Sequence, residues 1–209
     1  FCKVLKALSV KIFILISLVK KMGLGTIILM KEFLDTLIKK KIVRINNCET
    51  NINLLRQAYQ FAEKNSTDTQ TWTGAIISKE EKVLSTGANR FAEGVKITEA
   101  RKQRPKKYLC QNHAERDAIF LAAKDGIALN NSAMFMPWVP CCDCANGIIA
   151  SGIKTLVIHY EKCIKTPTDW IEDIREALSM LQEAQVSIEV VTEKIGDCTA
   201  KFRGEIWYP

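Results

Sequence analysis

Residues 113–122 read HAERDAIFLA, and residues 138–152 read WVPCCDCANGIIASG. Each stretch opens a predicted helix with residues that ligate metals. His113 begins the first helix, and Cys141 and Cys144 begin the second, directly after a proline. Two cysteines three positions apart turn their sulfurs to one side of a helix, and the positive N-terminal end of the helix favours the thiolate. The spacing therefore predicts a zinc site with His113, Cys141 and Cys144 as ligands.

Three protein ligands leave the fourth position of a tetrahedral zinc ion open, which is typical of catalytic sites, whereas structural zinc sites have four protein ligands. Glu115 stands two residues after His113, close enough to reach water at the open position without ligating the metal. We therefore expect Glu115 to be the catalytic residue, which accepts a proton from that water and passes it to the substrate. Cys142 is an alternative ligand, but the Pro-Cys spacing favours Cys141.

The pattern His-x-Glu followed by Pro-Cys-x-x-Cys is the general signature of zinc-dependent nucleobase deaminases. The similarity extends over residues 65–191, which resemble the deoxycytidylate deaminase family. The segments that carry the resemblance are STDTQTWTGA (66–75), GANRFAEGV (87–95), RPKKY (104–108) and WVPCCDCA (138–145). The resemblance implies a cytidine-deaminase-like α/β/α layered domain with a mixed five-stranded sheet, one catalytic zinc ion, and conversion of dCMP to dUMP with release of ammonia.

The resemblance also implies where a nucleotide would bind. Asn89 is expected to hydrogen-bond the sugar or the base, and Arg90 and Arg104 are candidates to meet the 5′-phosphate, because arginine forms charge-assisted bonds with phosphate well. Ala114, between the predicted ligand and the catalytic glutamate, is a candidate substrate contact. Trp138 is a candidate to stack on the base.

Hydrophobic periodicity predicts the same layered α/β class. Helices are expected over residues 31–45, 51–63, 113–124, 141–150 and 169–184. Strands are expected over residues 74–78, 83–86, 133–138, 155–159 and 186–191, the first two forming a hairpin across a charged turn. Residues 87–112 are predicted to be a long basic loop, and the tail after Lys194 is predicted to be irregular.

Charge and cysteine distribution restrict the class of partner. The formal net charge is +7, but residues 1–29 contribute five lysines and no acid, which leaves +2 for the rest. A mildly basic body indicates a nucleotide-sized anion as partner and no nucleic acid. Three of the eight cysteines fall within four positions, a clustering typical of metal chemistry in a reducing compartment, so we expect a cytoplasmic protein.

The N-terminal 29 residues differ from the remainder. The apolar run IFILISLV (12–19) is flanked by lysines, is too short for a standard membrane span and has no signal-peptidase site after it. Three interpretations stay open: translated sequence upstream of a start at Met22 or Met30, an amphipathic extension that contacts a membrane surface, or a processed targeting segment. We expect residues 1–29 to be an extension and residues 30–209 to be the zinc-dependent deaminase domain.

Two alternative functions remain at this point. A related deaminase with the same zinc chemistry would act on cytidine, guanine or a tRNA adenosine. A protein of another class would be an inactive zinc-bound module for binding or assembly, although the intact Glu115 argues against it. The family resemblance also favours a homo-oligomer.

Overall fold

A six-stranded mixed sheet organises the chain in the computed structural model, which describes residues 25–209. Within these residues the helices are α1 (Gly25–Lys39), α2 (Glu49–Asn65), α3 (Glu99–Lys102), α4 (Lys106–Cys110), α5 (Ala114–Lys124), α6 (Cys142–Ala150), α7 (Tyr160–Ile164) and α8 (Thr168–Glu183). The strands are β1 (Val43–Ile45), β2 (Gly74–Lys79), β3 (Lys82–Ala88), β4 (Arg90–Phe91), β5 (Gln111–Asn112), β6 (Ala133–Phe135), β7 (Thr155–His159), β8 (Ser187–Val191), β9 (Ala200–Phe202) and β10 (Glu205–Trp207).

The sheet has the strand order β1-β8-β7-β6-β2-β3. The first four strands in this order run parallel to one another, whereas β2 runs antiparallel to both β6 and β3. The predicted α/β class is confirmed. The sheet has six strands and not the predicted five. The sequence predicts one helix over residues 31–45, but the chain leaves the helical conformation at Lys41 (φ +58°), and Val43 then pairs with Ile188 at the sheet edge.

Side chains along the central strands point alternately to the two faces of the sheet and contribute to two hydrophobic cores, one on each face. Ile77 and Met134 point into the core formed with α1, α5, α6 and α8, while Ile76 and Phe135 point into the core formed with α2. Adjacent residues of a strand face opposite sides, so a sheet covered on both faces shows nearly continuous apolar strands. This arrangement is the three-layer α/β/α architecture expected from the sequence.

Close packing of α5 on β3 positions the helix that carries the predicted glutamate. A Cβ atom at Gly87 would overlap the backbone of Ala114 and Ala118, so a larger residue cannot stand at this position without moving α5. The absence of a side chain on β3 therefore fixes how near the N-terminus of α5 lies to the sheet.

Two predicted irregular regions contain regular structure. The basic loop over residues 87–112 includes the paired strands β4 and β5 and the short helices α3 and α4. The tail prediction was wrong: β9 and β10 form an antiparallel hairpin across Arg203 and Gly204, both of which have positive φ angles. Such two-residue turns with positive φ match the twist of a hairpin.

The described residues begin inside the predicted N-terminal extension. Helix α1 starts at Gly25 and continues across the boundary predicted at residues 29/30, and Leu29 and Met30 are both buried. The interpretations of residues 1–24 lie outside the described residues, and the domain boundary stays a prediction. Within residues 25–209, no helix combines the length and the apolar character that crossing a membrane requires.

Candidate active site

The N-termini of α5 and α6 bring the three predicted metal ligands together. His113 and Cys141 are the residues immediately before the two helices, and Cys144 lies in the first turn of α6. Nδ1 of His113 lies 3.5 Å from Sγ of Cys141 and 3.5 Å from Sγ of Cys144. Cys144 is completely buried, and the other two residues are partly buried.

The donor set and its spacing fit zinc. Zinc–nitrogen and zinc–sulfur bonds at tetrahedral angles would separate a ligating nitrogen and sulfur by about 3.6 Å. The two observed nitrogen–sulfur distances of 3.5 Å match this separation without rearrangement of the backbone. One imidazole and two thiols are also the ligand types that zinc prefers. His113, Cys141 and Cys144 would hold the ion.

Hydrogen bonding already favours a thiolate in this cluster. The Cys144 thiol donates to Cys141, and together with His113 it lowers the pKa of Cys141 to about 4 against the opposing effect of burial. The same bond raises the pKa of Cys144, to which burial adds. Burial lowers the pKa of His113, but the hydrogen bond to Cys141 and the charge of Glu115 raise it above its usual value overall. Thiolates are the form in which cysteine ligates metal.

Cys142 points away from the cluster, which separates the two candidates for the first cysteine ligand. Its Sγ donates to the backbone carbonyl oxygen of Asp173 at 3.3 Å, and its backbone N–H donates to the Asp173 carboxylate at 3.4 Å. Burial and the neighbouring Asp173 raise the pKa of the Cys142 thiol to about 11. The cluster therefore uses Cys141 and Cys144, as the proline spacing indicated.

Glu115 lies beside the ligands with a perturbed carboxyl group. The residue is 3% exposed, and burial raises the pKa of its carboxyl above the usual value, although the positive charge of His113 opposes the shift. Glu115 lines the same pocket as His113 and Cys141. A carboxyl group whose pKa lies nearer neutrality than usual is suited to accept and return a proton.

The pocket above the cluster has an apolar, partly aromatic wall and a charged rim. Its wall includes Tyr108, Met136, Trp138, Val139, Pro167, Trp170, Ile174 and Phe202. Its polar lining includes Asp68, Asn89, Arg104, Lys107, Gln111 and Arg203, of which Arg104 and Arg203 are exposed and form the charged rim. Apolar walls with a few convergent polar groups are typical of sites for small ligands.

Four of the five predicted substrate contacts line this pocket: Asn89, Arg104, Ala114 and Trp138. The Arg104 guanidinium lies 5.1 Å from the centroid of the Tyr108 ring at the rim. The indole Nε1–H of Trp138 donates to Thr166 Oγ1 at 2.7 Å, which fixes the ring in the wall.

The side-chain amide of Asn89 forms its hydrogen bonds with groups of the protein itself. Its Oδ1 accepts from Ser66 and from the Thr73 backbone, and its Nδ2 donates to the Thr71 carbonyl oxygen and to Asp68. A side-chain amide has two donors and two acceptor positions, so these bonds satisfy all of them. In this conformation Asn89 shapes the pocket by holding the loop that carries Asp68.

Arg90 does not line the pocket, in contrast to the prediction. Its Nε donates to Asp117 Oδ2 at 2.7 Å, and its guanidinium lies 5.9 Å from the Phe61 ring centroid. Asp117 Oδ2 also accepts from the Ala88 backbone N–H at 3.1 Å. The role that the structure indicates for Arg90 is to hold β4 against α5.

Sequence reasoning missed Arg203, which reaches the pocket from the C-terminal hairpin. Its backbone N–H donates to Thr71 Oγ1 at 3.3 Å, and Phe202 beside it forms part of the wall. The pair Arg203-Gly204 between segments with β-forming residues was the available signal for a two-residue turn. Arg104 and Arg203 form no salt bridge with any residue among 25–209, whereas Lys107 is paired with Asp68.

His159 and Cys163 belong to the core. Nδ1 of His159 shares a 2.8 Å hydrogen bond with the Tyr59 hydroxyl, and Cys163 is fully buried near the Pro137 carbonyl oxygen. Within the described part of the chain, His113, Cys141 and Cys144 form the one cluster of three or more candidate metal ligands.

Comparison with known proteins identifies the family of this fold and metal cluster. Residues 48–160 match the family described as the cytidine and deoxycytidylate deaminase zinc-binding region. The matched region contains all three candidate ligands and Glu115, so the prediction of zinc as cofactor is confirmed.

Individual relatives agree with this assignment. A protein of Aliivibrio fischeri described as an uncharacterized deaminase in the luxG 3′ region is 32% identical over 123 residues, which are 59% of this chain and 81% of that protein. Deoxycytidylate deaminase of Enterobacteria phage T2 is 34% identical over 86 residues, but the match covers 41% of this chain and 45% of that enzyme. The chain thus spans less than half of the phage enzyme.

A solved structure shares the fold. The crystal structure of dCMP deaminase from the cyanophage S-TIM5 in complex with dCMP and dUMP superposes with a TM-score of 0.56 at 23% identity, covering 70% of this chain and 99% of that chain.

Proposed function

The chain belongs to the cytidine and deoxycytidylate deaminase zinc-binding family, and from this premise we propose that it deaminates dCMP to dUMP with release of ammonia. The observation that carries the proposal is the zinc ligand cluster together with the buried Glu115, which lines one pocket with His113 and Cys141. Two relatives named for this reaction, the T2 enzyme and the cyanophage enzyme, support dCMP as the substrate.

The overall reaction exchanges the exocyclic amine of cytosine for oxygen from water. Zinc, when bound, supplies positive charge that lowers the pKa of water toward about 7. Glu115 would accept a proton from the attacking water and deliver it to N3 of the ring as the new carbon–oxygen bond forms at C4. Glu115 would then take the second proton from the new hydroxyl group on C4 and pass it to the amine. The bond from C4 to nitrogen would break, the hydroxyl oxygen would become the carbonyl oxygen of uracil, and ammonia would leave.

The pocket walls would orient the base for this proton transfer. Trp138 and Phe202 offer ring surfaces beside the metal cluster, and Trp170 packs 6.1 Å from the His113 ring, measured between centroids. Apolar walls exclude bulk water from the reacting atoms, which strengthens the electrostatic interactions made there.

The 5′-phosphate would be recognised at the rim by Arg104 and Arg203. Both arginines line the pocket, and neither is neutralised by a carboxylate among residues 25–209. An arginine without an internal partner keeps its full charge for a ligand, and arginine binds phosphate in a bidentate manner. This arrangement favours a nucleoside monophosphate over a free nucleoside.

Two further expectations accompany the proposal. Thiolates that hold zinc must stay reduced, which supports a reducing compartment such as the cytoplasm. Homo-oligomerisation remains a prediction from the family resemblance, and size-exclusion chromatography with light scattering would test it.

A substrate panel tests the proposed function. The zinc-loaded protein would be given dCMP, CMP, deoxycytidine, cytidine, guanine and tRNA, and ammonia and deaminated base would be measured. We expect the highest kcat/KM with dCMP. Turnover of guanine or tRNA in preference to dCMP would contradict the assigned substrate, and full zinc occupancy without ammonia from any substrate would indicate the inactive binding module.

A further inference from the structure

Lys162 is buried without a hydrogen-bonding partner. Lys162 lies in α7 and is 1% exposed, and its Nζ forms no hydrogen bond with any residue among 25–209. Removing an amine from water without providing a partner costs considerable free energy. A residue retained at that cost requires an explanation, and the family match over residues 48–160 does not reach it.

Two aromatic rings surround the Lys162 amine. Nζ lies 3.9 Å from the centroid of the Phe202 ring and 4.8 Å from the centroid of the Trp138 ring. The two rings are perpendicular, at 86°, with their centroids 5.5 Å apart. An ammonium group over an aromatic face is attracted by the negative face of the ring, and the attraction increases when water is excluded.

The same two rings line the pocket, whereas Lys162 does not. Lys162 therefore contacts, from behind, the wall on which a substrate would lie. Trp138 follows β6 and belongs to the family region, while Phe202 comes from the C-terminal hairpin and directly precedes the rim residue Arg203. The Lys162 side chain thus contacts one wall residue from the family region and one from the C-terminal hairpin.

We propose that Lys162 is a positioning residue for nucleotide binding, which holds the Trp138 and Phe202 rings in place as one wall of the pocket and so fixes where Arg203 meets the ligand. The inference rests on the proposed function for the identity of the ligand, dCMP. It concerns the placement of the wall and not the proton transfer by Glu115, so it affects KM more than kcat.

The charge of Lys162 changes within the neutral range. Burial lowers its pKa to about 7; Cys163 opposes this shift, and Lys165, just after the end of α7, adds to it. His159, on the preceding strand, is the other titratable group that interacts with Lys162, and burial keeps it neutral by lowering its pKa to about 4. As the pH rises through 7 the ammonium form is lost, and its attraction to both rings weakens.

The first test compares Lys162→Met with Lys165→Met. Methionine preserves the length of the side chain but removes the amine. Lys165, which directly follows α7, provides a matched control. Its Nζ lies 4.6 Å from the ring centroid of Trp207, a residue that does not line the pocket. We expect Lys162→Met to raise KM for dCMP about five- to tenfold with little change in kcat, and to leave thermal stability equal or higher. We expect Lys165→Met to leave KM unchanged.

The second test needs no substrate. In ¹⁵N-labelled protein the Trp138 indole Nε1–H signal, assigned with Trp138→Phe, should shift with pH near neutrality in the wild type and in Lys165→Met but not in Lys162→Met. An unchanged KM in Lys162→Met, or a Trp138 signal that titrates identically with and without Lys162, would overturn the inference. A wild-type protein that fails to turn over dCMP would overturn the proposed function instead, and the indole signal would still decide whether Lys162 positions the ring.

Discussion

Nδ1 of His113 lies 3.5 Å from Sγ of Cys144, although the two residues are 31 positions apart in the chain. The contact exists because α5 and α6 begin side by side at the same end of the sheet, and both helix N-termini point at the cluster. Their partial positive charges favour thiolate over thiol. The metal site is therefore a product of how two helices pack, and not of one local loop.

Zinc content should distinguish the two neighbouring cysteines. Cys144→Ser removes a thiolate that faces His113. Changes to residues around the ligands typically lower the affinity for zinc by roughly 10- to 100-fold, and we expect the loss of a ligand to lower it further. Cys142→Ser is the matched control, because Cys142 contacts Asp173 and not the cluster. Zinc per chain would be measured by mass spectrometry after dialysis. Loss of zinc in Cys142→Ser with retention in Cys144→Ser would contradict the ligand assignment.

Arg203→Ala should weaken binding of the phosphate and leave the nucleoside unaffected. A charge-assisted hydrogen bond to phosphate accounts for about 10- to 100-fold in affinity, so KM for dCMP should rise by this factor while KM for deoxycytidine stays constant. Lys201→Ala on the same hairpin is the control, because Lys201 lies over Trp72 and does not line the pocket. Equal changes in KM for both substrates would show that Arg203 does not select for phosphate.

Asp117 should contribute to stability more than a surface ion pair does. Asp117→Ala leaves the Arg90 guanidinium and the Ala88 N–H without their acceptor, and we expect the free energy of unfolding to fall by about 3 kcal/mol. Glu93→Ala, which breaks an exposed pair with Lys124, should leave the free energy of unfolding almost unchanged. Urea denaturation would measure both. The companion change Arg90→Met should lower stability without altering the ratio of KM values for dCMP and deoxycytidine; a change in that ratio would restore Arg90 as a phosphate contact.

Acid should destabilise the protein through His159. Burial lowers the pKa of His159 from its ordinary 6.5 to about 4, so below pH 6.5 the unfolded chain binds a proton that the folded chain does not. Stability is therefore lost as the pH falls from 6.5 toward 4, by about 3 kcal/mol for complete protonation. His159→Gln keeps a hydrogen-bonding group for Tyr59 but does not titrate, so its stability should depend less on pH across this range. Parallel stability–pH curves for the two proteins would contradict the assignment.

The metal site and the central strands could be predicted from the sequence because their signals are local. His113 and Glu115 are two residues apart, Cys141 and Cys144 are three apart, and the central residues 156–158 of the strand 155–159 are all apolar. Spacing within one turn of a helix fixes relative orientation without knowledge of the rest of the fold.

The hairpin and the edge strand could not be predicted in this way. β1, β9 and β10 have three residues each, too few for a periodic pattern, and they form because tertiary partners supply hydrogen bonds. Trp72, for example, donates its backbone N–H to the Lys201 carbonyl oxygen at 3.0 Å.

The residues proposed to contact phosphate show the same limitation. In the sequence Arg90 and Arg203 are equivalent basic residues in irregular segments. Asp117, 27 positions from Arg90, neutralises one of them, and only the packing of α5 on β3 reveals that pairing. Charge alone does not distinguish a structural arginine from one available to a ligand.

The most direct test of the central claim is the rate of dCMP deamination by Glu115→Gln with zinc bound. Glutamine keeps the size of the side chain but cannot carry the proton, so we expect kcat to fall at least about 10²- to 10⁴-fold while zinc content and affinity for dUMP stay near those of the wild type. Glu93→Gln, an exposed glutamate outside the pocket, should retain full activity. A Glu115→Gln protein that binds zinc and still converts dCMP to dUMP at the wild-type rate would contradict the account.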